Sequence, residues 1–201
     1  MIEPGEPDAV ARAQVVLRRP LVLVGLMGAG KTSVGKRLAA LLGTSFTDSD
    51  NEIVAAAGMS IPEIFASLGE PAFRDGERRV LLRLLAERVG VIATGGGAFV
   101  EPRTRAEIKA RAVSVWLRAD LDLLWDRVRD RPGRPLLQTP NPRQTLAELL
   151  ERRYPLYGEA DVIVDSRRGA SHEAMARTIV AAVQAHDAAR PEQSPTLGAR
   201  A

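Results

Sequence analysis

Cysteine is absent from the sequence, which rules out disulfides, thiolate-bound metals and a cysteine nucleophile. Lysine is almost missing as well. Of 28 Lys plus Arg residues only Lys31, Lys36 and Lys109 are lysines, and 25 acids leave a net charge of just +3. An arginine-rich chain of this kind has a high isoelectric point without a strong field at neutral pH. Many of the arginines stand beside acids, as in Glu77-Arg78-Arg79 and Glu87-Arg88, a pattern of salt-bridged helix surface. No nucleic-acid partner is expected. No apolar run approaches the length of a membrane span, and the acidic opening Met1 to Asp8 has no apolar segment behind it of the kind a signal peptide needs. The expected setting is therefore the cytoplasm, with no membrane partner. His172 and His186 have no acid or second histidine in ligand spacing and read as surface residues.

Against these absences stands one strong motif. Gly25-Leu26-Met27-Gly28-Ala29-Gly30-Lys31-Thr32 follows the apolar run Leu21-Val22-Leu23-Val24 and reads G-x-x-x-x-G-K-T. A buried strand that ends in such a turn brings successive backbone N–H groups around a phosphate, here from Gly28, Ala29 and Gly30 and on into Lys31, Thr32 and Ser33. The following helix adds the positive end of its dipole. Lys31 carries a mobile charge to the outer phosphates, and the Thr32 hydroxyl is placed to bind the magnesium that bridges them. Val34, Leu38, Leu41 and Leu42 give that helix its apolar stripe, and Gly43 is a good C-terminal cap.

At 201 residues the chain is long enough for one domain with a proper core and short for two. Val10, Ala13, Val16 and Leu17 are helically spaced, so residues 1–19 are expected to form an extension with a short helix. Residues 20–188 form the expected single domain. Its strands are predicted at 21–24, 44–47, 91–94, 112–117 and 161–164, alternating with helices. Five strands beginning at a phosphate loop imply a three-layer α/β fold with a mostly parallel sheet and ligands at the carboxyl ends of the strands. Short helices are predicted over 51–58 and 61–68, a third over 71–88, and another over 102–111. Asp120 should cap a helix that carries Leu121, Leu124, Trp125 and Val128 inward, and Trp116 and Trp125 read as core residues. The stretch 131–142, rich in proline and arginine, reads as a mobile loop within a lid over about 129–142. Helices over 144–153 and 171–186 complete the domain, and residues 189–201 are expected to be a disordered tail.

A phosphate loop alone does not separate a kinase from a switch or a motor, so the other strand ends must decide. The strand 91–94 ends in glycines rather than an acid, and Asp48-Ser49-Asp50 supplies the carboxylates. On strand periodicity Asp48 and Asp50 share a side. One can serve the metal, directly or through water, while the other meets an acceptor hydroxyl; a helix N-cap at Asp50 is the structural alternative. Gly95-Gly96-Gly97 exposes backbone at a strand end, which fits either ligand approach or a flexible turn. Arg74 and Arg153 are candidate clamps for a carboxylate, and Glu77, three residues on, could hold Arg74 in place. Each arginine taken singly is also an ordinary surface residue.

Taken together these motifs resemble the shikimate kinase family from about Leu21 to Met175. The resemblance rests on residues 25–36, Asp48-Ser49-Asp50, Ile64-Phe65 with Phe73-Arg74, Thr94-Gly95-Gly96-Gly97, Arg134-Pro135-Leu136-Leu137 and Arg153-Tyr154-Pro155-Leu156-Tyr157. It implies a P-loop kinase fold like that of the nucleoside monophosphate kinases, with a small substrate-binding helical insertion over about 51–88 and the mobile lid. The implied activity is transfer of the ATP γ-phosphoryl group to the 3-hydroxyl of shikimate in aromatic amino-acid biosynthesis. Asp50, Arg74, Gly96, Gly97 and Arg153 would then hold shikimate, with both arginines at its carboxylate. Thr32 and Asp48 would support Mg2+, and Arg134 would come down with the lid onto the phosphates. Arg127 or the Arg167-Arg168 pair would flank the adenine. Lys31, Asp50 and Arg134 would be the catalytic residues, in a chain expected to act as a monomer. Two other readings are a kinase for another polyhydroxy acid such as gluconate, and a nucleotide-dependent binding module without catalysis. The paired acids, the triple glycine and the Arg153 segment argue against the first, and the presence of Lys31, Asp50 and Arg134 against the second.

Overall fold

Aliphatic runs with no polar face belong in strands covered on both sides, and the centre of this fold is made of them. In the computed structural model, which describes residues 15–87, 89–130 and 135–199, the chain runs β1 (Val15–Leu17), β2 (Leu21–Val24), α1 (Lys31–Leu42), β3 (Ser45–Asp48), α2 (Ser49–Ala57), α3 (Ile61–Glu87), β4 (Gly90–Ala93) and α4 (Pro102–Arg111). It continues through β5 (Val113–Arg118), α5 (Leu121–Val128), a 3-10 turn at Pro135–Leu137, α6 (Pro142–Tyr157), β6 (Val162–Asp165), α7 (His172–Ala188) and β7 (Leu197–Ala199). Five strands form a parallel sheet in the order β3-β4-β2-β5-β6. Val22 sits between Ile92 and Ser114 in register, and β2 and β4 are buried along their whole length. On the flanks, α1 and α7 pack on each other, while α4 packs on β5 and on α3.

Local chemistry sets the helix limits. Gly43 closes α1 in the left-handed region and donates its N–H back to the last turn. Asp120 accepts the Leu123 N–H at 2.7 Å and caps α5 as predicted. The pair of helices predicted over 61–68 and 71–88 is found within α3 as two helical segments that meet at the non-helical Gly69 (φ 78°, ψ 170°), just ahead of Pro71. Trp116 is buried, and Trp125 packs partly buried against the core. Among the described residues no single helix is long and apolar enough to cross a membrane.

Three expectations are corrected. Val15–Leu17 is a strand and not the end of a leading helix; the Val10 and Ala13 part of that expectation lies outside the described residues. The segment after Arg190 is not a featureless tail, because β7 pairs antiparallel with β1, Val16 opposite Gly198. The Arg18 N–H donates to the Thr196 carbonyl at 2.8 Å, and Asp187 Oδ2 accepts the Thr196 and Leu197 N–H groups at 2.9 and 3.0 Å. Both misreadings concern a pairing of segments far apart in sequence, which no local pattern records. The helix predicted to stop at Arg153 runs on to Tyr157 through Pro155, which occupies an exposed position.

Leu197 is buried at 8% exposure beside Leu17 of the same small sheet. Leu197→Ala is expected to lower stability by about 2 kcal/mol, the low end for a buried leucine, while leaving turnover unchanged. Urea unfolding read beside steady-state rates checks both halves, and an unaltered midpoint would mean that β7 adds nothing.

Candidate active site

The turn after β2 needs glycine at Gly28 on two counts. Its φ is +82°, and a Cβ there would stand 2.8 Å from Val128 Cγ1. Gly30 starts α1 with no side chain capping the helix, so the N–H groups of the first turn, which have no intrahelical partner, remain for an anion. Ala29 is buried and Ser33 exposed. Lys31 lies back over the loop, its Nζ donating to the Gly25 and Leu26 carbonyls at 2.7 and 3.0 Å. Arg127 grips the same loop from α5: its guanidinium donates to the Gly28 carbonyl at 3.1 Å and to Ser166 Oγ at 3.0 Å. Burial, and then the nearby Arg168, pull Arg127 below the usual arginine value.

Asp48 ends β3 and serves as the N-cap of α2. Its Oδ1 accepts the Asp50 N–H at 3.1 Å, and its Oδ2 accepts the Thr32 hydroxyl at 2.8 Å. The two acids are therefore not alternate residues of one strand, as expected, since the helix begins at Ser49. Asp50 occupies the first turn of α2, where a carboxylate is favoured by the helix dipole. It still faces the glycine strand end, because a Cβ on Gly95 would lie 2.6 Å from its Oδ1.

None of Gly95, Gly96 and Gly97 has a positive φ; here glycine serves close approach. Added Cβ atoms would meet Asp50 at Gly95 and Arg153 at Gly96, the latter at 3.4 Å, and at Gly97 would overlap the Arg74 guanidinium. The three glycines thus let three polar side chains from α2, α3 and α6 converge on one strand end. The Gly95 N–H is taken by Ser49 Oγ at 3.3 Å. Arg153 donates to the Gly96 carbonyl at 3.0 Å, and the Tyr157 hydroxyl donates to the same oxygen.

Arg74 is held as the sequence spacing suggested: it donates to Glu77 Oε2 at 2.7 Å, and Glu70 of the preceding turn accepts at 3.1 Å. Burial alone would lower Arg74, but Glu77 and Glu70 outweigh it and leave it raised. Glu77 is 1% exposed, and among the described residues its Oε1 has no hydrogen-bond partner. Burial pushes its carboxyl above the ordinary range, opposed by Arg74 and reinforced by Asp50. Burial likewise pushes the Tyr157 hydroxyl up to about 12, so it is a donor throughout the physiological range.

Lys31, Thr32, Asp48, Asp50, Arg74, Gly96, Gly97 and Arg153 are thus gathered at the carboxyl ends of β2, β3 and β4. Arg134 lies outside the described residues. Arg168 pairs with Asp126 at 2.6 Å and Arg167 is exposed. Sequence reasoning missed the depth at which Glu77 is buried, and it missed Tyr157, whose signal was its position one helical turn after Arg153. A separate apolar groove of 400 Å³ between α2 and α3, lined by Ile53, Ile64, Leu68, Phe73 and Val80, shares no residue with the phosphate loop or the glycines.

The family model described as shikimate kinase matches residues 27–184. A shikimate kinase of Caulobacter vibrioides is 56% identical over 168 residues, 84% of each chain. One of Rhodopseudomonas palustris is 52% identical over 175 residues, 87% of this chain and 86% of its own. Among solved structures, shikimate kinase from Acinetobacter baumannii in complex with shikimate superposes with a TM-score of 0.79 at 42% identity, covering 83% of this chain and 93% of that one.

Glu77 is raised in the fold, so its contribution to stability is complete below its ordinary value of 4.5 and is lost as pH rises through the raised value. Glu77→Gln, which cannot ionise, is expected to gain on the parent protein between about pH 4 and about pH 7. Urea unfolding of both proteins at the two pH values measures this, and a pH-independent difference would contradict it.

Proposed function

Since this chain belongs to the shikimate kinase family, we propose that it transfers the γ-phosphoryl group of ATP to the 3-hydroxyl of shikimate, giving shikimate 3-phosphate on the route to aromatic amino acids. The observation that carries the assignment of the acceptor site is the convergence of Asp50, Arg74 and Arg153 on three successive glycines. That arrangement suits a small acceptor with a carboxylate at one end and hydroxyls at the other.

In this reading Arg74 and Arg153 take the shikimate carboxylate, each through the guanidinium fork. Glu77 keeps Arg74 aimed. Asp50 accepts a hydrogen bond from the 3-hydroxyl and takes its proton as the oxygen attacks. The new bond joins that oxygen to the γ-phosphorus, and the bond to the bridging oxygen of ADP breaks. Lys31 neutralises charge on the transferring group, and the backbone of Gly28, Ala29 and Gly30 with the first turn of α1 holds the phosphates. Arg134 would share the work of Lys31, an assignment that rests on the family resemblance. Arg127 or the Arg167-Arg168 pair flanks the adenine. Thr32 Oγ1 and Asp48 Oδ2, 2.8 Å apart, are the hard oxygens magnesium takes, and with substrate phosphates they would hold Mg2+. When bound, that ion neutralises phosphate charge and fixes its orientation. The enzyme is proposed to act as a cytoplasmic monomer.

The decisive experiment measures ADP release with ATP and Mg2+ in the presence of shikimate, gluconate or no acceptor, with mass spectrometry of the product. Shikimate-dependent release giving shikimate 3-phosphate is expected. Turnover only with gluconate would move the acceptor, and nucleotide binding without any turnover would favour a binding module. Lys31→Ala is expected to abolish transfer with the fold intact by circular dichroism. Asp50→Asn is expected to lower kcat by about 10²- to 10⁴-fold, the usual weight of general base catalysis, with the KM for ATP little changed. A normal rate combined with weak ATP binding would remove Asp50 from that role.

A further inference from the structure

The carbonyl of Gly96 accepts two hydrogen bonds, from Arg153 and from Tyr157. The two donors are four residues apart on α6, so one face of that helix grips one peptide group of the glycine turn. Tyr157 itself is 0% exposed. Its ring packs against Trp116 at 5.9 Å and Tyr154 at 6.3 Å, which themselves meet at 4.8 Å, and its hydroxyl reaches the Gly96 carbonyl.

A Gly-Gly peptide has little of its own to prevent it from turning, since neither neighbour carries a Cβ. The peptide is trans and planar, so fixing the Gly96 carbonyl toward α6 also fixes the Gly97 N–H in the opposite direction, away from α6. Arg153 alone is a poor anchor for this purpose. Its charge is wanted by an anionic ligand, and any shift of the guanidinium toward that ligand would loosen the carbonyl. Tyr157 is neutral, buried and held by packing, so although Arg153 also hydrogen-bonds its hydroxyl, its grip carries no charge for a ligand to draw away.

We propose that Tyr157 is a positioning residue for the acceptor, its hydroxyl locking the Gly96–Gly97 peptide so that the glycine turn and Arg153 present a single fixed geometry to the acceptor carboxylate. The lock acts on the acceptor side, although Gly96 borders the phosphate loop at the Gly25 carbonyl, where an added Cβ would lie 3.6 Å away. The phosphate loop keeps its own bonds, from Lys31 to Gly25 and Leu26 and from Arg127 to Gly28. Tyr154 provides the internal comparison. It belongs to the same aromatic cluster and also donates to a buried carbonyl, but that carbonyl is Ala119 at the end of β5, away from the glycines.

This inference rests on the acceptor-site reading given above, so the experiment includes a variant that tests the reading separately. Tyr157→Phe, which keeps the ring and removes only the hydroxyl, is expected to raise the KM for shikimate about five- to tenfold, the weight of one well-made hydrogen bond. The KM for ATP should stay within about twofold. Tyr154→Phe should leave both KM values at the parent level, and Arg153→Lys should raise the KM for shikimate. If Arg153→Lys raises it and Tyr157→Phe does not, or if Tyr157→Phe raises both KM values alike, the lock is wrong while the acceptor site stands. If Arg153→Lys leaves the KM for shikimate unchanged, the acceptor site itself is wrong and the lock falls with it.

Discussion

Asp48 gives one carboxylate oxygen to the Thr32 hydroxyl and the other to the Asp50 amide, so a single side chain ties the first turn of α1 to the first turn of α2. The phosphate loop feeds the first of these helices, and Asp50, the proposed acceptor acid, stands on the second. Their separation, on which the proposed in-line meeting of hydroxyl and phosphorus would depend, is therefore tied by one short residue at a strand end. Glutamate at this position would carry the same charge on a longer and freer stem, and the spacing would no longer be fixed.

Around that link the site concentrates charge in a place with little water. Arg74, Glu77, Asp50 and Arg153 lie within electrostatic reach of each other. Withdrawing such groups from water is costly, and their mutual attraction does not reliably repay it. Glu77 shows the imbalance most clearly, because burial outweighs the arginines and raises its carboxyl. The gain is positional. A guanidinium held between Glu70 and Glu77 would lose little further freedom on meeting the proposed ligand carboxylate, so part of the ordering cost of binding would be met when the chain folds.

Much of this was legible in the sequence because the relevant signals are local. A phosphate loop is read from eight consecutive residues, buried parallel strands from unbroken aliphatic runs, and the caps at Asp120 and Gly43 from single residues beside helical patterns. The Arg74–Glu77 pair followed from three-residue spacing on a helix. What escaped depended on contacts between distant segments. Val15–Leu17 fits a helical stripe as well as a strand until Leu197–Ala199 is brought beside it. Local sequence offers Asp50 either a place at the strand end or the helix cap, and only the fold shows that the cap is Asp48. The triple glycine was read for exposed backbone and positive φ was not needed: its cause is the crowding of Asp50, Arg153 and Arg74 from three other elements, which no window of sequence contains. Tyr157 went unassigned because its acceptor, the Gly96 carbonyl, is sixty-one residues away.

The β1–β7 pairing sets Val15 opposite Ala199, so the described chain returns to within about one strand spacing, 4.7–4.9 Å, of where it sets out. β1 precedes the amino end of β2, whereas the phosphate loop leaves its carboxyl end. In terms of connectivity residues 15–199 are close to a closed ring whose seam lies at the opposite strand ends from the phosphate loop. A chain joined between Val15 and Ala199 and opened at some other surface turn would keep the same core and the same cluster of side chains at the strand ends, because that cluster is drawn from residues 31–153.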